Sequence, residues 1–167
     1  MKRSLTLLAT VFVSMAMATQ TAERPKQLDA LDYFTGKWVT ESTSTPGDTS
    51  TFTGDWVLGK RHLRMQQAGK MMGMQMEGLM MLTWDETKNK YSSTWFDSMG
   101  GMVMTGYGDW KGDVLTTTTE AVEMEGQKMK IRVLMTKKGT GKFEMDVAGG
   151  DGDKWQSFLN MTYVKAK

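Results

Sequence analysis

Lys128-Met-Lys-Ile-Arg-Val-Leu-Met-Thr136 is the most regular stretch of the chain. Met129, Ile131, Val133 and Met135 fall on one parity, and Lys128, Lys130, Arg132 and Leu134 on the other. A period of two describes a strand with one face buried and one face wet, the habit of antiparallel sheets. The same beat runs through Phe143-Glu-Met-Asp-Val147, and through 155–163 with Trp155, Leu159, Met161 and Tyr163 on one parity. Working outward, further strands are expected at 37–43, 50–58, 61–68, 73–84, 90–97, 102–109 and 113–123, about ten in all.

The connections between these strands are short. Gly59-Lys60, Lys111-Gly112 and Glu125-Gly126 read as tight turns with glycine supplying positive φ. Asp85 to Lys90, Lys138 to Gly141 and Gly149 to Asp153 are slightly longer. None has room for a crossover helix, so a parallel sheet is excluded. Neighbouring strands in such a meander must hide their edges, and closing into a single antiparallel up-and-down β-barrel does so. A two-sheet sandwich is the competing solution. Ahead of the strands, Leu28, Leu31 and Phe34 share one side of a helical turn or two, which Gly36 stops.

The N-terminus has a different character. Met1-Lys2-Arg3 is basic, Leu5 to Ala18 is an apolar run, and Ala16-Met17-Ala18 is a small-x-small cleavage site, the layout of a secretory signal peptide. An uncleaved N-terminal anchor is the alternative, but the apolar run is short for a span. Removing 18 of the 167 residues leaves 149, about one domain. Residues 19–27 read as a flexible polar leader and 28–167 as the barrel domain. The expected location is secreted or periplasmic, with a mature N-terminus at Thr19. Intact-mass measurement of exported protein checks this, and a chain that still carries Met1 would refute it.

Composition then excludes several functions. The chain has no cysteine and one histidine, which removes disulfides, thiolate metal sites, thiol catalysis and multi-histidine metal sites. Its 21 Lys+Arg exceed its 19 Asp+Glu only through Lys2 and Arg3, so the mature chain is formally neutral. It therefore has no basic footprint for nucleic acid. No second apolar stretch approaches the ~20 residues of a membrane helix, so stable membrane insertion is not expected.

The segment Phe34-Thr-Gly36-Lys-Trp38 resembles the Gly-x-Trp opening of lipocalin-like barrels. With Gly78-Leu-Met-Met-Leu-Thr-Trp84-Asp85, Thr94-Trp95-Phe96-Asp97-Ser98-Met99 and Phe158-Leu-Asn-Met161-Thr-Tyr163, the chain resembles, across residues 28–165, a bacterial family known only as a lipocalin-like domain of unknown function. The resemblance implies a calycin-like barrel of about ten strands with an internal cavity and no established reaction. It gives Gly36 and Trp38 a structural role at the barrel end, under a short helix. It makes Lys165 the counterpart of the basic residue that lipocalins place over that tryptophan. Haem-binding relatives use a late histidine, whereas this chain has only His62, and no cofactor is expected.

Methionine is the compositional anomaly. Three of the 18 methionines lie in residues 1–18, and ten of the rest fall between Met65 and Met104. Met74, Met76, Met80, Leu82 and Trp84 share a parity with Gly78, opposite Gln75, Glu77 and Thr83. Methionine fills irregular apolar space and stays adaptable. The lining expected for a ligand cavity is Met74, Met76, Met80, Trp95, Met102, Met104, Met129 and Met145. Trp95 is the aromatic member, with Ser93 and Tyr91 on its parity. A soft-metal site for Cu(I) or Ag(I), built from Met71, Met72, Met74 and Met76, is the alternative use of the same run.

Catalytic groupings are sparse. His62 falls on the outward parity with Arg64 and Gln66. Asp97-Ser98 beside Met99-Gly-Gly101 reads as a hairpin tip, since there is no Gly-x-Ser-x-Gly elbow and no second histidine for a triad. Asp151-Gly-Asp153 lacks the glutamate of a calcium loop and reads as a turn. Thr116 to Thr119 reads as a β-prone polar run rather than a site. The expectation is a binding module for a small apolar or amphipathic molecule, with metal handling second and an enzyme on a barrel scaffold third.

Overall fold

The computed structural model describes residues 23–100, 103–124, 126–150 and 152–167. The segment read as a signal peptide lies outside them. A 3-10 helix, Lys26–Phe34, is followed by eleven strands. These are Gly36–Thr43 (β1), Thr49–Val57 (β2), His62–Met71 (β3), Met74–Asp85 (β4), Lys90–Asp97 (β5), Met104–Lys111 (β6), Val114–Thr119 (β7), Val122–Met124 (β8), Gln127–Lys137 (β9), Lys142–Gly150 (β10) and Trp155–Lys165 (β11). Each strand from β1 to β6 pairs antiparallel with the next, β7 pairs β9, β9 pairs β10, β10 pairs β11, and β11 returns to β1. The sheet is thus a closed ten-stranded barrel. The sandwich alternative is excluded, because every strand of the ring has a partner on both sides.

The eleventh strand has a local cause. The single strand expected at 113–123 breaks after Thr119, and Val122–Met124 pairs only with the start of β9. Thr119 Oγ1 accepts the Ile131 N–H at 2.9 Å, so a side chain replaces the backbone partner at the break.

The helix closes one end of the barrel. Leu28, Leu31 and Phe34 are all buried, as their shared side requires. Phe34 packs edge-on against Phe143 at 5.2 Å and stacks on Trp110 at 6.1 Å between ring centroids. Gly54 makes the docking possible: a Cβ there would stand 2.2 Å from the Phe34 carbonyl oxygen. Tyr33 reaches out to the β9–β10 turn and donates its hydroxyl to the Gly139 carbonyl at 2.7 Å. The helix begins inside the segment 19–27 read as a flexible leader, and the described part of that segment is tethered at Arg24. Arg24 lies 4.2 Å over the Trp56 ring and bonds Asp29 and Asp32 at 2.8 Å each.

Trp38 sits directly above the helix end, with Nε1 donating to the Phe34 carbonyl at 3.1 Å. Lys165 is its register partner on β11 and holds its ammonium 4.6 Å over the indole, while donating to the Thr35 carbonyl at 2.7 Å. The lysine expected over the opening tryptophan is therefore in place. Above this level Phe143 stacks on Tyr163 at 4.9 Å. The closed half of the barrel is a packed aromatic core.

One parity expectation fails. Pairing between β10 and β11 slips from Val147↔Leu159 to Ala148↔Ser157, a bulge that leaves Phe158 unpaired. Below the slip Leu159, Met161 and Tyr163 stay buried, as expected. Beyond it the alternation reverses, and Trp155 lies outside the barrel, with the Arg132 guanidinium 4.6 Å over its ring.

Candidate functional site

The opposite half of the barrel is open. The strand ends at Thr43, Met71, Asp97, Thr119 and Gly150 lie on this side. A cavity of about 340 Å³ runs in from this end. Of the residues expected to line it, Met74, Met76, Met80, Trp95, Met104 and Met145 do so. Met102 lies outside the described residues. Met129 instead lines a separate surface concavity of about 590 Å³ with Lys128, Trp155 and Phe158. Gly149 lets it settle there: a Cβ at that glycine would stand 3.0 Å from the Met129 sulfur.

The rim is held by two carboxylates. Asp48 is buried and accepts the Met72 and Gly73 N–H groups, the latter at 3.0 Å. This fixes the β3–β4 turn, where Met72 adopts φ 53° and Gly73 φ 79°. Met71 and Met74 face each other across that hairpin, Met71 buried and Met74 exposed. Across the mouth, Asp97 Oδ1 accepts the N–H groups of Met99 and Gly100 at 2.8 and 3.1 Å. Its other oxygen accepts from Trp95 Nε1 at 3.2 Å. Ser98 pairs with the Glu77 backbone through both its own N–H and its hydroxyl, at 3.0 Å each. The Asp97-Ser98 segment is a hairpin tip, as expected, and it also orients the cavity tryptophan.

The Trp95 ring lies over Gly78, the diagonal neighbour on β4 beside its register partner Met80, because Gly78 has no side chain. An ideal Cβ on Gly78 would stand 2.0 Å from the Cη2 atom of the indole. Tyr91, on the same parity, is not part of the cavity. It is buried below, and its hydroxyl donates to the Gln27 carbonyl at 2.6 Å, tying β5 to the helix.

Deeper than the rim, Ser93, Gln67, Thr117 and Thr119 are the polar side chains of the wall. Ser93 Oγ donates to Thr117 Oγ1 at 2.9 Å, and both residues are buried. Gln67 donates its amide protons to Ser50 Oγ at 3.2 Å and to the Tyr163 hydroxyl. Tyr163 is held as a neutral phenol: burial pushes its pKa up to about 12, against the opposing hydrogen bonds of Ser50 and Gln67. The threonine run read as a mere strand contributes Thr117 and Thr119 to this wall. Their shared parity with Leu115, buried in the core, was the available signal.

His62 is not part of the site. It lies on the outward face of β3 opposite Thr83, and burial together with the Arg61 charge lowers its pKa. His62 is therefore on the far side of the sheet from the Ser93 hydroxyl. Among the described residues no group of three or more His, Cys, Asp or Glu could hold a metal ion, and no helix is long and apolar enough to cross a membrane. The donors suited to a soft metal are the thioethers of Met71, Met72, Met74 and Met76, which all line the cavity.

A closed antiparallel barrel, plugged by a helix at one end and open to an apolar cavity at the other, defines a lipocalin-like class of protein. Residues 24–165 match the family model described as "Protein of unknown function (DUF1579)", and the chain belongs to that family. None of the curated proteins matches it significantly.

Proposed function

We propose that the chain is an exported binding protein that holds a small apolar or amphipathic molecule in the open half of its barrel. The observation that carries this reading is the uneven filling of the interior. Aromatic rings pack the helix end, whereas thioethers, aliphatic side chains and one indole surround about 340 Å³ at the other. Binding sites for small molecules fall in this size range and have this mainly apolar character with a few placed polar groups. Methionine suits such a wall because its unbranched side chain adapts to different occupants.

An uncharged apolar dye, N-phenyl-1-naphthylamine, tests the reading. Dye fluorescence is expected to rise on binding, and the shift in tryptophan emission that an apolar occupant causes is expected to come mainly from Trp95, which lines the cavity. Trp95→Phe should remove most of that shift and leave dye fluorescence on direct excitation. Absence of dye binding to the folded protein would overturn the proposal.

A second reading is favoured by the convergence of Met71, Met72, Met74 and Met76 on one cavity. On that reading the protein takes up Cu(I) or Ag(I). Changing the four to leucine keeps the apolar volume and removes the sulfur donors. Silver uptake that is lost in this variant supports metal handling, whereas dye binding that persists without silver uptake supports the apolar ligand.

A further inference from the structure

We infer that the occupant is an uncharged chain with a hydroxyl or carbonyl head, which enters head first and is seated against Ser93, Thr117 and Gln67; this rests on the binding reading above.

The first reason is the hydrogen-bonding capacity of the wall deeper than the rim. Ser93 gives its proton to Thr117, so Thr117 still has a proton to donate and Ser93 still has an oxygen lone pair to offer. Gln67 gives both amide protons to the floor, to Ser50 and Tyr163, so what it can offer elsewhere is its carbonyl oxygen. Thr119, on the same wall, accepts the Ile131 N–H and keeps its own proton, so these side chains together offer two hydroxyl donors and at least two acceptors. A hydroxyl head, itself donor and acceptor, matches that set. A carbonyl head uses the Thr117 proton. A carboxylate can only accept, and it would leave the Ser93 and Gln67 acceptors unmatched.

The second reason is charge. Among the described residues no lysine, arginine or histidine lines the cavity, and the ionisable side chain on its wall is Asp97 at the rim. An anionic head would leave water without gaining a counter-ion and would pass a carboxylate on its way in.

The third reason sets the direction. Around these polar groups the wall is apolar, through Met80, Val133 and Met145, and the mouth is edged by Met72, Met74 and Met99, all exposed. A tail-first occupant would leave buried hydroxyls facing hydrocarbon and put its polar head among thioethers. The head-first pose satisfies both ends. The volume of about 340 Å³ corresponds to roughly ten water-sized groups, a medium-length chain.

Displacement of N-phenyl-1-naphthylamine from the mature chain by 1-decanol and by decanoate at neutral pH tests the inference. Decanol should displace the dye at a concentration at least about tenfold lower than decanoate. Thr117→Val should bring the ratio of the two potencies toward one, and Thr117→Ser, which keeps the hydroxyl, should preserve it. Ser93→Ala gives a second way to weaken the seat should Thr117→Val not fold. Equal potency of decanol and decanoate on the unaltered protein would overturn the inference while leaving the cavity reading intact. So would a ratio unmoved in folded Thr117→Val and Ser93→Ala proteins. Failure of the dye itself to bind would overturn both.

Discussion

Trp38→Ala is expected to cost about 3–5 kcal/mol of folding stability, the usual scale for deleting a large buried aromatic side chain. At 1% exposure the indole has essentially no contact with solvent. It meets Phe143 edge-on at 4.9 Å, and its N–H satisfies the helix-end carbonyl of Phe34 at 3.1 Å. Truncation leaves a cavity, an unpaired carbonyl and a lysine with no ring beneath it. Phe34, Phe143 and Lys165 come from the helix and two distant strands, so the hole lies where they converge and no single element can close it. The melting temperature should fall by about 6–20 °C for a domain of this size. Denaturant unfolding gives the free energy directly, and a loss below about 1 kcal/mol would mean that the helix end holds without the tryptophan.

Gly78→Ala is expected to act at the other end, on binding more than on folding. The added Cβ would stand 2.0 Å from Cη2 and 2.3 Å from Cζ2 of Trp95, far inside contact distance. The backbone of β4 is held by β3 and β5 on either side, so the ring is what moves, and the free space is the cavity. Overpacking of this kind costs about 1–3 kcal/mol, and an indole displaced into the lumen removes room that the ligand needs. Affinity for the apolar dye should fall at least about tenfold. Gly78→Ala combined with Trp95→Leu should regain binding, because the smaller side chain clears the lumen. Unchanged dye affinity in the single variant would show that the position of the ring on the wall is not what keeps the cavity open.

Much of this architecture was legible in the sequence because a strand announces itself locally. The alternation at Lys128–Thr136 placed Ile131 and Met135 inside, and both are buried. Short glycine turns with no room for helices left only antiparallel neighbours, and the Gly36-Lys-Trp38 opening located the plugged end. Met74, Met76 and Met80 reached the cavity because parity within one strand decides which face they occupy.

What tertiary structure alone decided concerns relations between strands. A bulge at Phe158 turned Trp155 outward, and a bulge is a property of two paired strands that neither reveals by itself. Met129 kept its parity but settled beside Gly149 of the neighbouring strand, outside the cavity. The depth of the cavity depends on how far the rings of Phe34, Trp38, Phe143 and Tyr163 fill the lumen from four separate elements. The polar seat needs Ser93 and Thr117 at one height on strands that do not pair with each other. Trp95 leaves space only because Gly78 lies beneath it. Alternation in a sequence fixes the side of the sheet on which a residue lies; the register and curvature of the closed barrel determine which residues meet and how much of the interior stays empty.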